Sequence, residues 1–400
     1  MDRKLRFGIA GLGHAASTEI IPSLAKIPYV HLAAAADVRR DALEKFRKEF
    51  DAEVFTSVEE MCRSPHVDVV YVASPNEFHA QHVIAAAKNG KHVIVEKPMG
   101  SSIEECEAMN AAAEVAGTKI LCGHTHSWDT PIRKIREIVR NGELGKLRMI
   151  NTWMYKHLLY TPRAQGELAS SQGVILNQGP HQVDIVRLIG GGIVRSVRAM
   201  TGIWDPSRPY QGAYTCFLEF ENGVAATLVF SGLAFFDTAE LTWWVGESGF
   251  PRDPETHTKV RRQFKTFAAD PEKEALLKDE MRYGGARAGA RHVLSKPEDP
   301  GKNQPFFGLT VVTCDKGDIR QSPDGLLVYG EEGKKEIPLT QGNSAREEEV
   351  SELYEAIAGD KPVSHGGRWG EATLEVCLAI IESARERREI FMKHQVPTEE

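Results

Sequence analysis

Residues 8–16 read G-I-A-G-L-G-H-A-A and complete an apolar run from Leu5 to Ala10. A chain that leaves a buried strand and enters a helix through a tight turn needs glycine wherever a side chain would obstruct the turn or an approaching phosphate. Gly11 and Gly13 meet that need, His14 extends the turn, and Ala16 takes the third position, where helix-strand packing asks only for a small residue. The helix that follows offers unbonded backbone N–H groups and the positive end of its dipole to a pyrophosphate. Asp37 closes the next apolar run 24 residues after Gly13, the spacing at which an acid accepts hydrogen bonds from adenosine ribose hydroxyls. The turn therefore predicts a dinucleotide site. A carboxylate there repels a 2′-phosphate and favours NAD, while Arg39 and Arg40 just beyond it keep NADP as the alternative.

Outward from this turn, short apolar runs alternate with amphipathic stretches as far as Gly123. Strands are expected at Leu5 to Ala10, Val30 to Ala36, Val67 to Ala73, His92 to Val95 and Thr118 to Cys122. Helices are expected at Ala15 to Ile27, Arg40 to Phe50, Val58 to Arg63, Glu77 to Asn89 and Ser102 to Ala116. Such alternation specifies a doubly wound, mostly parallel sheet with helices on both faces, so residues 1–123 read as a Rossmann dinucleotide-binding domain.

The pattern then changes. A helix at Pro131 to Arg140 precedes runs rich in β-branched and aromatic residues at Leu147 to Lys156, Val194 to Thr201, Ala213 to Phe220, Val224 to Ser231 and Leu241 to Val245. Glu221-Asn222-Gly223 is a hairpin signal. Strand signals return at Phe307 to Thr313 and Gly325 to Tyr329, and helices at Ala345 to Ala358 and Gly370 to Arg388 end the chain. Residues 124–400 thus read as an α+β domain for substrate binding and oligomerisation, with a large, mostly antiparallel open sheet. The charged stretch 250–304 has no clear period and reads as an insertion or lid.

Composition narrows the partners. The 400 residues suit two domains, and 49 basic against 56 acidic residues give a net charge of −7 that disfavours a polyanion. No apolar run approaches the roughly 20 residues that span a bilayer. Six scattered cysteines without a C-x-x-C pair fit reduced thiols in a cytoplasmic protein. The expected partners are a small-molecule substrate and further copies of the chain, with neither nucleic acid nor membrane.

Chemistry concentrates beyond the strand ends, where ligands collect in open parallel sheets. Ser74-Pro75-Asn76 follows the third long strand run and Glu96-Lys97-Pro98 the next. A partly desolvated lysine there has its pKa lowered toward the working range and accepts a proton, which makes Lys97 the candidate base. A second constellation, Asn177 to Asp184, spaces His181 and Asp184 three apart on one helix face, where His181 would orient a reacting oxygen. His124, His126, Lys156, His157 and Arg163 are candidates for gripping a carboxylate. His124-Thr-His126 lacks a third ligand, so no metal is expected.

These motifs together carry a resemblance. G-I-A-G-L-G, A-S-P-N-x-x-H from Ala73 to His79, G-K-H-V-I-V-E-K-P from Gly90 to Pro98 and G-x-x-x-x-Q-G-P-H-x-x-D from Gly173 to Asp184 resemble the Gfo/Idh/MocA oxidoreductases over most of the chain. The resemblance implies a Rossmann domain followed by an open-sheet domain, dimers or tetramers built through that sheet, and oxidation of ring secondary alcohols. It also implies that Lys97 moves the proton with His181 as its partner, that His14, Ser74, Pro75, Asn76, His79 and Glu96 line the cofactor, and that Asn177 and Asp184 line the substrate. Many members carry aspartate where Asn177 stands; an amide positions a hydroxyl but exchanges no proton. Asn177 to Gly192, G-H-T-H-S at Gly123 and Gly367 to Ala379 are most similar to the phthalate cis-4,5-dihydrodiol dehydrogenase branch. That branch shades into sugar and glycoside oxidoreductases. The family also includes a transcriptional corepressor, a reading that Lys97 and His181 together disfavour.

Overall fold

The structure, a computed structural model, describes residues 4–162, 165–288 and 303–398. In chain order, β1 (Leu5–Ala10) leads through a π turn (Ala16–Ile20) into α1 (Ile21–Leu24), β2 (Val30–Ala36), α2 (Arg40–Phe50), β3 (Glu53–Phe55), α3 (Val58–Arg63) and β4 (Val69–Val72). Then come α4 (His79–Lys88), β5 (His92–Glu96), α5 (Ile103–Ala116), β6 (Ile120–Gly123), α6 (Thr130–Asn141), β7 (Leu147–Tyr155), α7 (Gln165–Ser170) and α8 (Ile175–Gly190). β8 (Val194–Gly202), β9 (Ala213–Phe220), β10 (Ala225–Ser231), α9 (Thr256–Phe264) and α10 (Pro271–Asp279) follow. The chain closes with β11 (Leu309–Cys314), β12 (Gly317–Ser322), β13 (Gly325–Gly330), β14 (Gly333–Pro338), α11 (Ala345–Gly359), α12 (Gly367–Glu386) and β15 (Ile390–Phe391).

These elements form two compact units. The first gathers the described residues of Met1–His124, Glu272–Arg291 and Arg346–Leu374; the second gathers those of Thr125–Pro271, His292–Ala345 and Glu375–Glu400.

In the first unit six parallel strands run in the order β3-β2-β1-β4-β5-β6, the doubly wound arrangement expected. β4 is apolar and buried throughout, as a strand covered on both faces must be. Ser57 and Ser102 cap α3 and α5, their hydroxyls accepting from the Glu60 and Glu105 amides. The late segment 346–374 reaches the β6 edge, where the Cys122 amide donates to the His365 carbonyl at 2.8 Å and Leu121 bridges Gly366.

The second unit is built on a nine-stranded sheet, ordered β14-β13-β12-β11-β7-β10-β9-β8-β15. All neighbours are antiparallel except β7 and β10. Apart from Asn177, every α8 residue is buried, as befits a helix apolar nearly all round. Gln182 fixes it to the sheet, its amide nitrogen donating to the Thr152 and Val229 carbonyls at 3.3 and 3.2 Å while its oxygen accepts from the Tyr214 hydroxyl at 2.6 Å.

One strand expectation fails. Leu241 to Val245 is a 3-10 turn, Thr238–Thr242, followed by Trp243 and Trp244 at φ of 54° and 58°. Asp237 caps that turn by accepting from the Ala239 amide, and this local bond overrides the β propensity of the aromatic run. Strands β3, β12, β14 and β15 were not anticipated; β14, G-K-K-E-I-P, is a charged sheet edge with no buried residue. The stretch 250–304 contains α9 and α10, and residues 289–302 of it lie outside the described residues.

Candidate active site

In the first unit the glycine turn is tightly specified. Gly11 has φ +98°, and a Cβ there would stand 2.8 Å from the Ala73 carbonyl oxygen, so only glycine fits. A Cβ on Gly13 would meet no protein atom within 4 Å, so its missing side chain leaves room at the turn where a pyrophosphate approaches. Ala16 is fully buried. Asp37 accepts from the Leu12 amide at 2.7 Å and the Arg39 amide at 2.8 Å. Arg39 folds back over the turn and donates to Asp37, to the Leu12 carbonyl at 2.5 Å and to the Tyr283 carbonyl at 3.1 Å. These residues fit a dinucleotide: an open glycine turn for the phosphates and a carboxylate at the end of β2.

The next two strand ends are tied together. His79 is buried, with Nε2 2.9 Å from the Ser74 carbonyl and Nδ1 3.0 Å from the Pro98 carbonyl, so it braces the loops after β4 and β5. Burial pushes its pKa down. The Ser74 hydroxyl pairs with His82 at 2.8 Å, and Pro75 leads into a 3-10 turn at Asn76–Phe78. Lys97 is half-buried and joined to Pro98 by a cis peptide bond.

Beneath Lys97 lies a buried quartet. The Tyr71 hydroxyl donates to Glu96 or Glu349, each 3.0 Å away, and Arg346 Nη1 lies 2.9 Å from both carboxylates. Burial alone would raise both acids. Arg346 and Lys97 more than offset it at Glu96, holding that carboxyl below its usual range. At Glu349 burial prevails over Arg346, with the Glu96 charge adding to it, and the carboxyl is pushed up to about 7. His124, also in this unit, is buried with Nε2 3.8 Å from Cys122 Sγ.

The second unit holds the other candidates. His181 is 8% exposed, and Asp184 is fully buried. Asn177 accepts through Oδ1 from the Gln178 amide nitrogen at 2.9 Å. The His181 ring meets His126 edge-on, centroids 4.9 Å apart, and both rings lie against Phe307, at 5.3 and 4.7 Å. His126 Nδ1 is 2.9 Å from Asp129 Oδ2, an acid whose pKa is raised by burial against the pull of His126. Lys156 lies 6.0 Å from the centre of the Phe307 ring and forms a close ion pair with Glu247. Burial opposes ionisation of Glu247, but Lys156 and His126 hold it down at about 2. Burial, with Arg252 and Lys156, pushes His157 down to about 3, so it stands as a neutral imidazole. Arg163 lies outside the described residues.

Sequence reasoning missed Arg346, Glu349, Asp129, Glu247 and Phe307. Asp129 carried a signal in its three-residue spacing from His126; the others meet their partners only through the fold.

Comparison with known proteins identifies the two domains. Residues 5–124 match the model for an oxidoreductase family with an NAD-binding Rossmann fold, and residues 132–249 match the GFO/IDH/MocA C-terminal domain. The chain is 36% identical over 384 residues to the 1-carboxy-3-chloro-3,4-dihydroxycyclo hexa-1,5-diene dehydrogenase of Comamonas testosteroni, covering 95% of each. A crystal structure described as a dehydrogenase from Bordetella bronchiseptica RB50 superposes with a TM-score of 0.89 at 38% identity, covering 97% of this chain and 100% of that one. The WlbA dehydrogenase of Bordetella pertussis, solved with NADH and UDP-GlcNAcA, shares the fold at a TM-score of 0.67 and 18% identity over 98% of this chain and 99% of that one. With both family models matched in order, and a relative aligned almost end to end, this chain belongs to the Gfo/Idh/MocA family and is an NAD(P)-dependent dehydrogenase.

Proposed function

We propose that this enzyme oxidises a ring secondary alcohol of a cyclic cis-diol, such as the cis-4,5-dihydrodiol of phthalate, with NAD. The observation that carries the reading is the relative aligned over 95% of both chains, whose name describes a carboxylated cyclohexadiene diol as its substrate. NAD, when bound, supplies the acceptor for the hydride leaving the alcohol carbon. Lys97 takes the hydroxyl proton, so the alcohol becomes a ketone with no charge left on its oxygen. His181 donates to or accepts from that oxygen and orients it. His126, fixed by Asp129, serves the same ring from beside His181. The resulting hydroxyketone then tautomerises, the proton of the neighbouring carbinol carbon leaving as the ketone oxygen takes one up, to give the catechol, and aromaticity drives the sequence forward.

Asp37 as hydrogen-bond acceptor at the end of β2 supports NAD over NADP. Six cysteines free of disulfides suit a reducing cytoplasm. Among the described residues no helix is long and apolar enough to cross a membrane. For the oligomer, one sheet face carries Met200, Thr215, Val229, Trp153 and Leu309 in register across five strands. Met200 and Trp153 there are 50% and 46% exposed, which suits a second copy of the chain.

The experiment is reduction of NAD by the purified enzyme with phthalate cis-4,5-dihydrodiol. Turnover is expected, and Lys97→Ala is expected to lower kcat by roughly 10²–10⁴ while NAD still binds. Absence of turnover with intact NAD binding overturns the diol reading. One observation favours a neutral sugar or glycoside instead: Lys156 is already neutralised by Glu247, which weakens its grip on a substrate carboxylate.

A further inference from the structure

Residues 272–288 leave the sequence neighbourhood of the second unit and belong to the first. Their contacts converge on one corner. The Tyr283 amide donates to the Leu12 carbonyl at 3.3 Å, its carbonyl accepts from Arg39 at 3.1 Å, and the Met281 carbonyl lies 3.4 Å from His14 Nδ1. The Tyr283 ring packs on Phe46 of α2 with centroids 5.9 Å apart, Lys45 lies 5.0 Å above it, and its hydroxyl donates to Glu49 at 2.6 Å. Met281 and Tyr283 are 1% and 5% exposed. The segment thus touches the glycine turn, the end of β2 and α2, the three elements around the adenosine end of a dinucleotide in this fold.

We propose that residues 281–284 form an outer wall of the cofactor site that retains the adenosine half of NAD(H) and selects against NADP. Two physical steps lead there. First, a dinucleotide held at a turn roofed by a packed aromatic leaves only when Tyr283 gives up its contacts with Phe46, Lys45 and Glu49. Second, Arg39 is the guanidinium placed to meet a 2′-phosphate, and Asp37, the Leu12 carbonyl and the Tyr283 carbonyl already hold it. Admitting that phosphate means withdrawing Arg39 from all three and leaving the phosphate beside Asp37. The wall acts on the adenosine half alone, so a nicotinamide mononucleotide, which lacks that half, is indifferent to it.

The test uses the full-length enzyme, with NADH release followed by its fluorescence and equilibrium binding of NADH, NADPH and reduced nicotinamide mononucleotide. Tyr283→Ala is expected to speed NADH release about tenfold, the weight of one aromatic packing contact and one hydrogen bond. The same variant is expected to bind NADPH better relative to NADH and to leave mononucleotide binding unchanged. Equal NADH release rates overturn the proposal, and so does equal weakening of the mononucleotide, which would mark general softening of the unit. Should Tyr283→Ala not fold, Tyr283→Phe and Glu49→Ala each remove the hydroxyl bond and leave the ring in place. Faster NADH release of a few fold in both then supports the wall, and no change in either overturns it. None of these readouts depends on which alcohol is oxidised.

Discussion

Each unit carries an acid cluster beside a candidate catalytic group, and the two clusters count their charges differently. In the first, Glu96 and Glu349 share a single guanidinium, Arg346, and a single phenol, Tyr71, with Glu349 fully buried. In the second, Glu247 faces Lys156, with His126 and Arg252 adding to the attraction, and keeps 32% of its side chain exposed. Glu96 has Lys97 as a second cation and is held below its usual range, whereas Glu349 has Arg346 alone and is pushed up to about 7; Glu247, among Lys156, His126 and Arg252, is held down at about 2. The lesson is that burial does not by itself decide which acid titrates in the working range. The number of cations facing each carboxylate decides it, and that count makes Glu349, in the quartet beneath Lys97, the acid raised to about 7.

The largest effect expected on this comparison comes from Arg346→Met, which takes away the guanidinium shared by two buried carboxylates and leaves Glu349 without a cation. It is expected to cost about 3–5 kcal/mol, measured by urea unfolding at neutral pH; a loss below about 1 kcal/mol breaks the contrast. Glu349→Gln sharpens it. The folded pKa of Glu349, about 7, stands above its unfolded value of 4.5. Its stabilising contribution is therefore present in full below the ordinary carboxylate range and is lost as the pH rises through about 7. Wild type should lose stability relative to Glu349→Gln between pH 5 and pH 8, in thermal unfolding across roughly that range, and parallel curves would contradict the charge count. Glu247 moves the opposite way: its depressed pKa is a contribution lost only as pH falls toward about 2, so this window should not register it. The smallest effect belongs to Asp129→Asn, where an amide replaces the carboxylate that orients His126. Loss of one charge-assisted bond is worth about 1.5 kcal/mol, so kcat/KM should fall roughly tenfold with little change in melting temperature. An unaltered kcat/KM would remove His126 from the reaction.

Local chemistry made much of the first unit legible. Helices α2 and α3 lie at the residues expected, and α5 is shorter by only its capping serine, because end signals and amphipathic spacing are written within a dozen residues. The glycine turn was legible for the same reason: Gly11 must pass Ala73, and its neighbours in sequence announce the turn. Leu241 to Val245 misled because its aromatic and β-branched residues satisfy a strand pattern while Asp237 commits the backbone to a turn. β14 escaped because its charged residues face solvent at a sheet edge, and β12, an interior strand, escaped because G-D-I-R-Q-S holds a single strong β former, Ile319. Arg346 had no readable signal at all. It stands 275 residues from Tyr71, and nothing in its own helix says that it enters the body built by the first strands. The Asn177 amide accepts from Gln178. What pairs with His181 instead, the His126 ring backed by Asp129, becomes visible only when α8 and the turn before α6 are brought together.

The late return of Arg346 has a consequence for the order in which the protein is made. When the ribosome has delivered Gly123, the six strands of the first sheet exist, yet Tyr71 and Glu96 still lack the Arg346 guanidinium and the β6 edge lacks the backbone of His365 and Gly366. More than 220 further residues must emerge before Arg346 arrives. The nascent dinucleotide-binding body is thus an open sheet with a bare edge and a buried acid awaiting its guanidinium, and it is completed only after eight of the second sheet's nine strands have been synthesised. A fragment ending at Gly123 should accordingly aggregate or remain partly folded, and adding back the segment 346–374 in trans is the way to rescue it.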